Sequence, residues 1–197
     1  MADPKELMAR YCEGDVDAFH ELYRIVAPRL FGYLVKMSRQ RAVAADLLQH
    51  TFMKVHRARR AYIRGADPVP WMYAIAHRTF LDEMRRIRRD IVRLEDEHDL
   101  LELSADLRGE SDERRDAHAD PALVTAALAA LLELPANQRQ AVVLTKLEGK
   151  SIAEAAEIAG TTVGAMKVRA HRGYKELRRL LDRAERSHDR ASVGGSR

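Results

Sequence analysis

The residues best equipped for chemistry in this chain are its arginines, and the chemistry they offer is neutralisation of a polyanion. They crowd residues 57–64, 78–89 and 169–186, whereas residues 95–120 are rich in Asp and Glu. A guanidinium keeps its charge at any physiological pH and presents a rigid fork of donors that matches phosphate. Basic blocks split by an acidic one point to a polyanion ligand gripped in two places. The most specific pattern lies at 151–175. Ser151 and Glu154 stand at the spacing of a capping box, in which each side chain satisfies a backbone donor at a helix start. A short Ala-rich helix over 152–159 follows, then Gly160 for a turn, then Thr161 or Thr162 to cap a second helix. That second helix carries Lys167, Arg169, His171, Arg172 and Lys175, with Val163, Met166 and Ala170 assigned to its inner face. This order is that of a helix-turn-helix. In such a motif Thr162, Gly164, Ala165 and Val168 approach base edges, while Lys167, Arg169, His171 and Arg172 meet bases or phosphates.

Catalytic chemistry finds no comparable support. The eight histidines are scattered, form no HExxH pair, and accompany neither a glycine-rich phosphate loop nor a nucleophile elbow. Cys12 stands alone, which excludes a disulfide framework or a thiolate zinc site within the chain. No cofactor and no metal is expected. The N-terminus lacks the apolar core of a signal peptide, and the longest apolar stretch, 122–132, is shorter than the ~20 residues of a membrane span. The expectation is a soluble, cytoplasmic protein without direct membrane contact.

The elements that must position these residues are helices. Of 197 residues, 32% are charged and only 6% aromatic, in a mixture dominated by Ala, Leu, Arg and Glu. Phe19, Leu22, Tyr23, Val26, Leu30, Tyr33 and Leu34 recur at helical spacing, with a kink or break expected at Pro28. Val43, Leu47, Leu48, Phe52 and Val55 make a second stripe, leaving Asp46, Gln49, His50 and Met53 on the other side. After a loop at 59–70, Trp71, Ile75, Phe80, Met84 and Ile87 form the apolar face of a third helix. Arg78, Asp82, Arg85 and Arg89 lie opposite, flanked by Arg86 and Arg88. The predicted fold class is all-α. Helical modules at 1–89 and 121–186 are joined by an acidic flexible linker at 90–120, with a short helix near 94–103 and a disordered tail at 187–197.

At this point the residues carry a resemblance. The segment 134–144 (LPANQRQAVVL), then 147–156 (LEGKSIAEAA) and 163–172 (VGAMKVRAHR), resembles the DNA-reading C-terminal region of bacterial sigma factors. Independently, 46–52 (DLLQHTF) resembles the helix that grips the polymerase clamp, and 70–76 (PWMYAIA) with 81–86 (LDEMRR) resembles the helix of the promoter melting site. Two regions in a short chain are the pattern of the extracytoplasmic-function class. The resemblance implies docking on RNA polymerase core through Asp46, Gln49, His50 and Met53. It implies recognition of the melted −10 element by Arg60, Tyr62, Arg64, Trp71, Tyr73, Arg78, Arg85, Arg86 and Arg89, with a flipped base held in the 59–70 loop. Trp71 and Tyr73 are candidates to stack on unpaired bases. The −35 element falls to the helix-turn-helix, and an anti-sigma factor is the implied inhibitory partner. His50 stands where the family usually has Glu, and Arg78 where it commonly has Asn.

Two other readings of the residues remain: a regulator that binds an operator without polymerase, and a hydrolytic or metal-dependent enzyme. The first predicts tight duplex binding by the free protein. The sigma reading predicts weak duplex binding alone and promoter-specific binding with polymerase.

Overall fold

Short acidic caps start the chain's first helices. Asp3 accepts from the Lys5 amide (3.0 Å) to begin α1 (Pro4–Cys12), and Asp15 accepts from Ala18 (3.0 Å) to begin α2 (Val16–Ser38). Between them Gly14 takes φ +104°, a left-handed turn that a side chain would strain. α3 (Arg41–Ala58) runs into a 3₁₀ turn (Arg59–Ala61), and α4 (Pro68–Glu97) completes this part. α5 (Pro121–Glu133), α6 (Ala136–Val142), a π turn (Val143–Leu147), α7 (Ile152–Ile158) and α8 (Val163–Gly194) follow. This computed structural model describes residues 3–97 and 121–194, which are helical without strands. The chain forms two compact units, one built on α1–α4 together with Glu157–Gly160, the other on α5, α6, α8 and the start of α7.

The first unit is an aromatic-containing helical bundle. Leu22, Val26, Leu30, Tyr33 and Leu34 of α2, Leu47 and Val55 of α3, and Met72, Tyr73 and Ala76 of α4 are buried. Tyr33 packs edge-on against Tyr73 (centroids 5.4 Å apart), and its hydroxyl shares a hydrogen bond with Nδ1 of the buried His77 (3.0 Å). Of the kink or break expected at Pro28, the break does not occur: α2 runs continuously through it. Pro28 is exposed, as is Arg24, whose carbonyl loses its donor, so water can replace the missing bond. The core face of α4 is also rotated from the expected one. Met72, Tyr73, Ala76, His77 and Phe80 are buried, whereas Trp71 and Ile75 are half-buried and Ile87 is 36% exposed.

The second unit has few large side chains. Leu131, Leu134, Val142, Val143, Leu144 and Met166 are buried together with Ala141, Ala155, Ala156 and Ala170. α8 passes close over α6, because a Cβ on Gly173 would fall 2.7 Å from Val142 Cγ2. Val163, expected to face inward, is 46% exposed, since the inner face of α8 begins at Met166. Two boundaries move as well. α4 continues past residue 89 to Glu97, and α8 continues past 186 to Gly194, so residues 187–194 are helical rather than a disordered tail. The rest of the acidic segment and of the helix expected near 94–103 lies outside the described residues.

Candidate nucleic-acid and protein interfaces

On α3, Asp46, Gln49, His50 and Met53 are all exposed, Met53 to 46%. Their face borders an open groove of about 580 Å³ between α2 and α3. Gln49 and Met53 line it with Phe19, Tyr23, Phe31, Leu48 and Phe52. The Tyr23 and Phe52 rings lie 4.6 Å apart, and Arg41 sits over Phe31 (5.2 Å). Tyr23 remains 41% exposed. Sequence reading assigned Phe19 and Tyr23 to the core stripe of α2. Their spacing fits that stripe, but they occupy its edge and so form the wall of a surface groove. An apolar trough rimmed by polar side chains is a surface suited to a protein partner.

A second face runs from the loop before α4 along that helix. The loop is closely held. Ala66 N–H donates to the Ile63 carbonyl (3.1 Å) across a turn in which Gly65 takes φ +83°, and Asp67 caps the Val69 amide (2.9 Å). The Tyr62 hydroxyl donates to the Ala66 carbonyl, and its ring packs against Trp71 (5.5 Å). The turn presents Ile63, 76% exposed, between Arg60 and Arg64. Along α4, Arg78, Arg85, Arg86 and Arg89 are exposed. Asp82 accepts from Arg85 and from Lys54 of α3 (both 3.1 Å), and Arg86 grips Glu83 with two bonds (3.1 and 2.6 Å). That hydrogen bonding holds the Glu83 carboxyl below its ordinary range. Exposed pairs of this kind are weak, so Arg85 and Arg86 stay available to a phosphate.

Two of the aromatics assigned to this face do not reach solvent. Tyr73, two residues on from Trp71, is fully buried against Tyr33 and cannot stack on a base without leaving the core. Tyr62 is 7% exposed and braces the loop from within. Trp71 is half-buried, with Tyr62 on one side.

The third face is the helix-turn-helix. The Ser151 hydroxyl accepts from the Glu154 amide (3.2 Å), and the Glu154 carboxylate accepts from the Ser151 amide (2.8 Å). Those bonds to Ser151 lower the Glu154 pKa. Gly160 takes φ +59° in the turn, and Thr162 rather than Thr161 caps α8, accepting from Ala165 (3.1 Å). Thr162, Gly164, Lys167, Val168, His171 and Arg172 are exposed, and Ala165 and Arg169 are half-buried. Val168 is 49% exposed. Gly164 has helical backbone, and a Cβ there would meet nothing within 4 Å. The fold therefore does not require a glycine at that position.

The geometry has counterparts among known proteins. The sigma-70 region 2 family matches residues 22–90, and the sigma-70, region 4 family matches residues 125–177. The RNA polymerase sigma factor CarQ of Myxococcus xanthus is 39% identical over 178 residues, covering 90% of this chain and 97% of that one. The ECF RNA polymerase sigma factor SigF of Caulobacter vibrioides is 33% identical, with 92% and 95% covered. Among solved structures, the sigma factor RpoE in complex with the anti-sigma factor NepR, from Bartonella quintana, aligns with a TM-score of 0.69 at 26% identity, covering 83% of this chain and 96% of that one. With its two helical units and with relatives matched over nearly their full lengths, the chain belongs to the extracytoplasmic-function class of RNA polymerase sigma factors.

Proposed function

We propose that the protein directs core RNA polymerase to promoters by a two-point grip, holding the −35 element as duplex and the −10 element as melted non-template strand. The exposed start of α8 from Thr162 to Arg172 enters the duplex major groove. The Arg60–Arg64 turn and the arginines of α4 hold the separated strand, and the loop receives a flipped base. Extruding a base costs a few kcal/mol, which phosphate contacts by Arg78, Arg85, Arg86 and Arg89 help to offset. Asp46, Gln49, His50 and Met53 dock on polymerase beside the apolar groove. The observation that carries this reading is Gly164: an unhindered glycine on the exposed start of a capped, basic helix leaves room for a close-approaching groove wall.

Restraint by an anti-sigma factor is part of the proposal. It rests on the RpoE neighbour, whose structure contains the anti-sigma factor NepR. Among the described residues no helix is long and apolar enough to cross a membrane. Run-off transcription with purified core polymerase tests the reading, above all on the promoter of the protein's own gene. Promoter-specific transcripts are expected with polymerase, and only weak duplex binding without it. Tight operator binding by the free protein, with no stimulation of polymerase on any template, would replace this reading with that of an autonomous regulator.

A further inference from the structure

α1 lies before residue 22, where the region 2 match begins, yet it and the residue after it touch the 59–70 loop at its entry and at its tip. Tyr11 shares a 2.5 Å hydrogen bond with Nδ1 of His56 on the last turn of α3, and Arg59 sits over the Tyr11 ring (5.9 Å). The next residue, Cys12, donates to the Arg59 carbonyl (3.3 Å), where α3 passes into the 3₁₀ turn. The residue after that, Glu13, pairs with Arg64 (3.3 Å), beyond Ile63 in the exposed turn. Three consecutive residues thus hold the entry to the loop and its tip. The Tyr11 ring is itself buried and stacked on Phe19 (4.8 Å), and α1 is tied to α2 by the Arg10–Asp15 pair (2.7 Å). The brace is therefore anchored on the bundle rather than on the loop it supports.

A turn that must discriminate one base from another needs its side chains held within fractions of an ångström, and loops lack that precision unless packed elements support them. From inside, the 59–70 loop is supported by Tyr62 against Trp71; from a separate element, α1 and the residue after it add side-chain contacts at Arg59 and Arg64. We infer that α1 sets the shape of the −10-reading loop, with Tyr11 and Glu13 as positioning residues for promoter discrimination. Tyr11 acts through His56 and the stem of the loop. Glu13 acts through Arg64, holding its guanidinium over the turn until a phosphate replaces the carboxylate. The exchange is feasible because the pair is exposed, 70% on Arg64 and 61% on Glu13, and so weak.

This inference rests on the proposed −10 reading, and its test separates the two. Holoenzyme assembled with the full chain transcribes a promoter library randomised at the −10 element and, in parallel, one randomised at −35. Tyr11→Phe keeps the ring against Phe19 and Arg59 and removes only the bond to His56. It is expected to lower discrimination between preferred and non-preferred −10 bases by about fivefold, the worth of one ordinary hydrogen bond. Glu13→Gln should lower it by about twofold, as suits an exposed pair, and Glu13→Asp should restore most of the loss. Preferences at −35 and polymerase affinity should stay near those of the unaltered chain, and melting temperature should fall by no more than the few degrees that one hydrogen bond is worth. Unchanged −10 preferences, with any lost activity following melting temperature or polymerase affinity, would overturn the inference and leave α1 a structural helix. If the unaltered chain showed no −10 preference at all, the −10 reading would fail and the inference with it.

Discussion

Gly173 of α8 packs so closely on α6 that a Cβ there would lie 2.7 Å from Val142 Cγ2 and 3.1 Å from the Gln138 carbonyl oxygen. The crossing brings the two helices of the second unit together just beyond the residues assigned to the −35 duplex.

Gly173→Ala should therefore destabilise the second unit, although alanine is the better helix former. Overpacking of this kind costs about 1–3 kcal/mol, more than the ~1 kcal/mol that helix propensity returns. Thermal and denaturant unfolding give the measurement. Because the first clash is with a side chain, Val142→Ala in the same protein should recover part of the loss, and a double-mutant cycle should show coupling near 1 kcal/mol.

Gly164→Ala should behave in the opposite way. A Cβ there meets nothing, so the free protein should be unchanged or up to ~1 kcal/mol more stable. Binding of holoenzyme to −35 duplex should nonetheless weaken, because the added methyl stands where the groove wall approaches. A variant that loses stability, or that binds −35 DNA normally, would remove the argument from this glycine.

Arg85→Ala with Arg89→Ala should slow open-complex formation and flatten its salt dependence. Losing two phosphate contacts reduces the slope of log affinity against log salt by roughly 1.4 to 1.8. The Arg85–Asp82 pair, 69% and 58% exposed, is too weak to withhold Arg85 from DNA. An unaltered slope would show that these side chains do not meet phosphate.

The capping box predicts a pH dependence of known sign. Hydrogen bonds to Ser151 hold the folded Glu154 carboxyl below its ordinary value, so the unfolded chain binds the proton more readily. The stabilisation is present above the unfolded pKa of ~4.3 and is lost as pH falls through the lower folded value. Glu154→Gln should lower the melting temperature at neutral pH, and its difference from the unaltered chain should shrink below about pH 4. A difference that persists unchanged in acid would mean that the ionised carboxylate is not what stabilises the helix start.

Much of the helix-turn-helix was legible in the residues, because its determinants are local. A capping box spans four residues, a turn needs one glycine with positive φ, and a 3.6-residue period places Met166 and Ala170 inward. The same locality showed that Asp46, Gln49, His50 and Met53 share an exposed face. Periodicity is a coarser guide to rotation. Neighbouring residues on a helix differ by about 100°, so Trp71 and Tyr73 could each be assigned inward or outward until Tyr33 and His77 appeared beside Tyr73. It is also silent about what lies across a crossing. The clearance at Gly173, the aromatic groove between α2 and α3, and the grasp of Tyr11, Cys12 and Glu13 on a loop some fifty residues away all join distant parts of the chain. The sequence by itself determined the helices, their caps and the two basic faces, since hydrogen bonding and charge act along a few residues. Only the tertiary structure decided which aromatics are core, which wall a groove and which helix contacts the 59–70 loop, because those outcomes depend on packing between segments that no local pattern encodes.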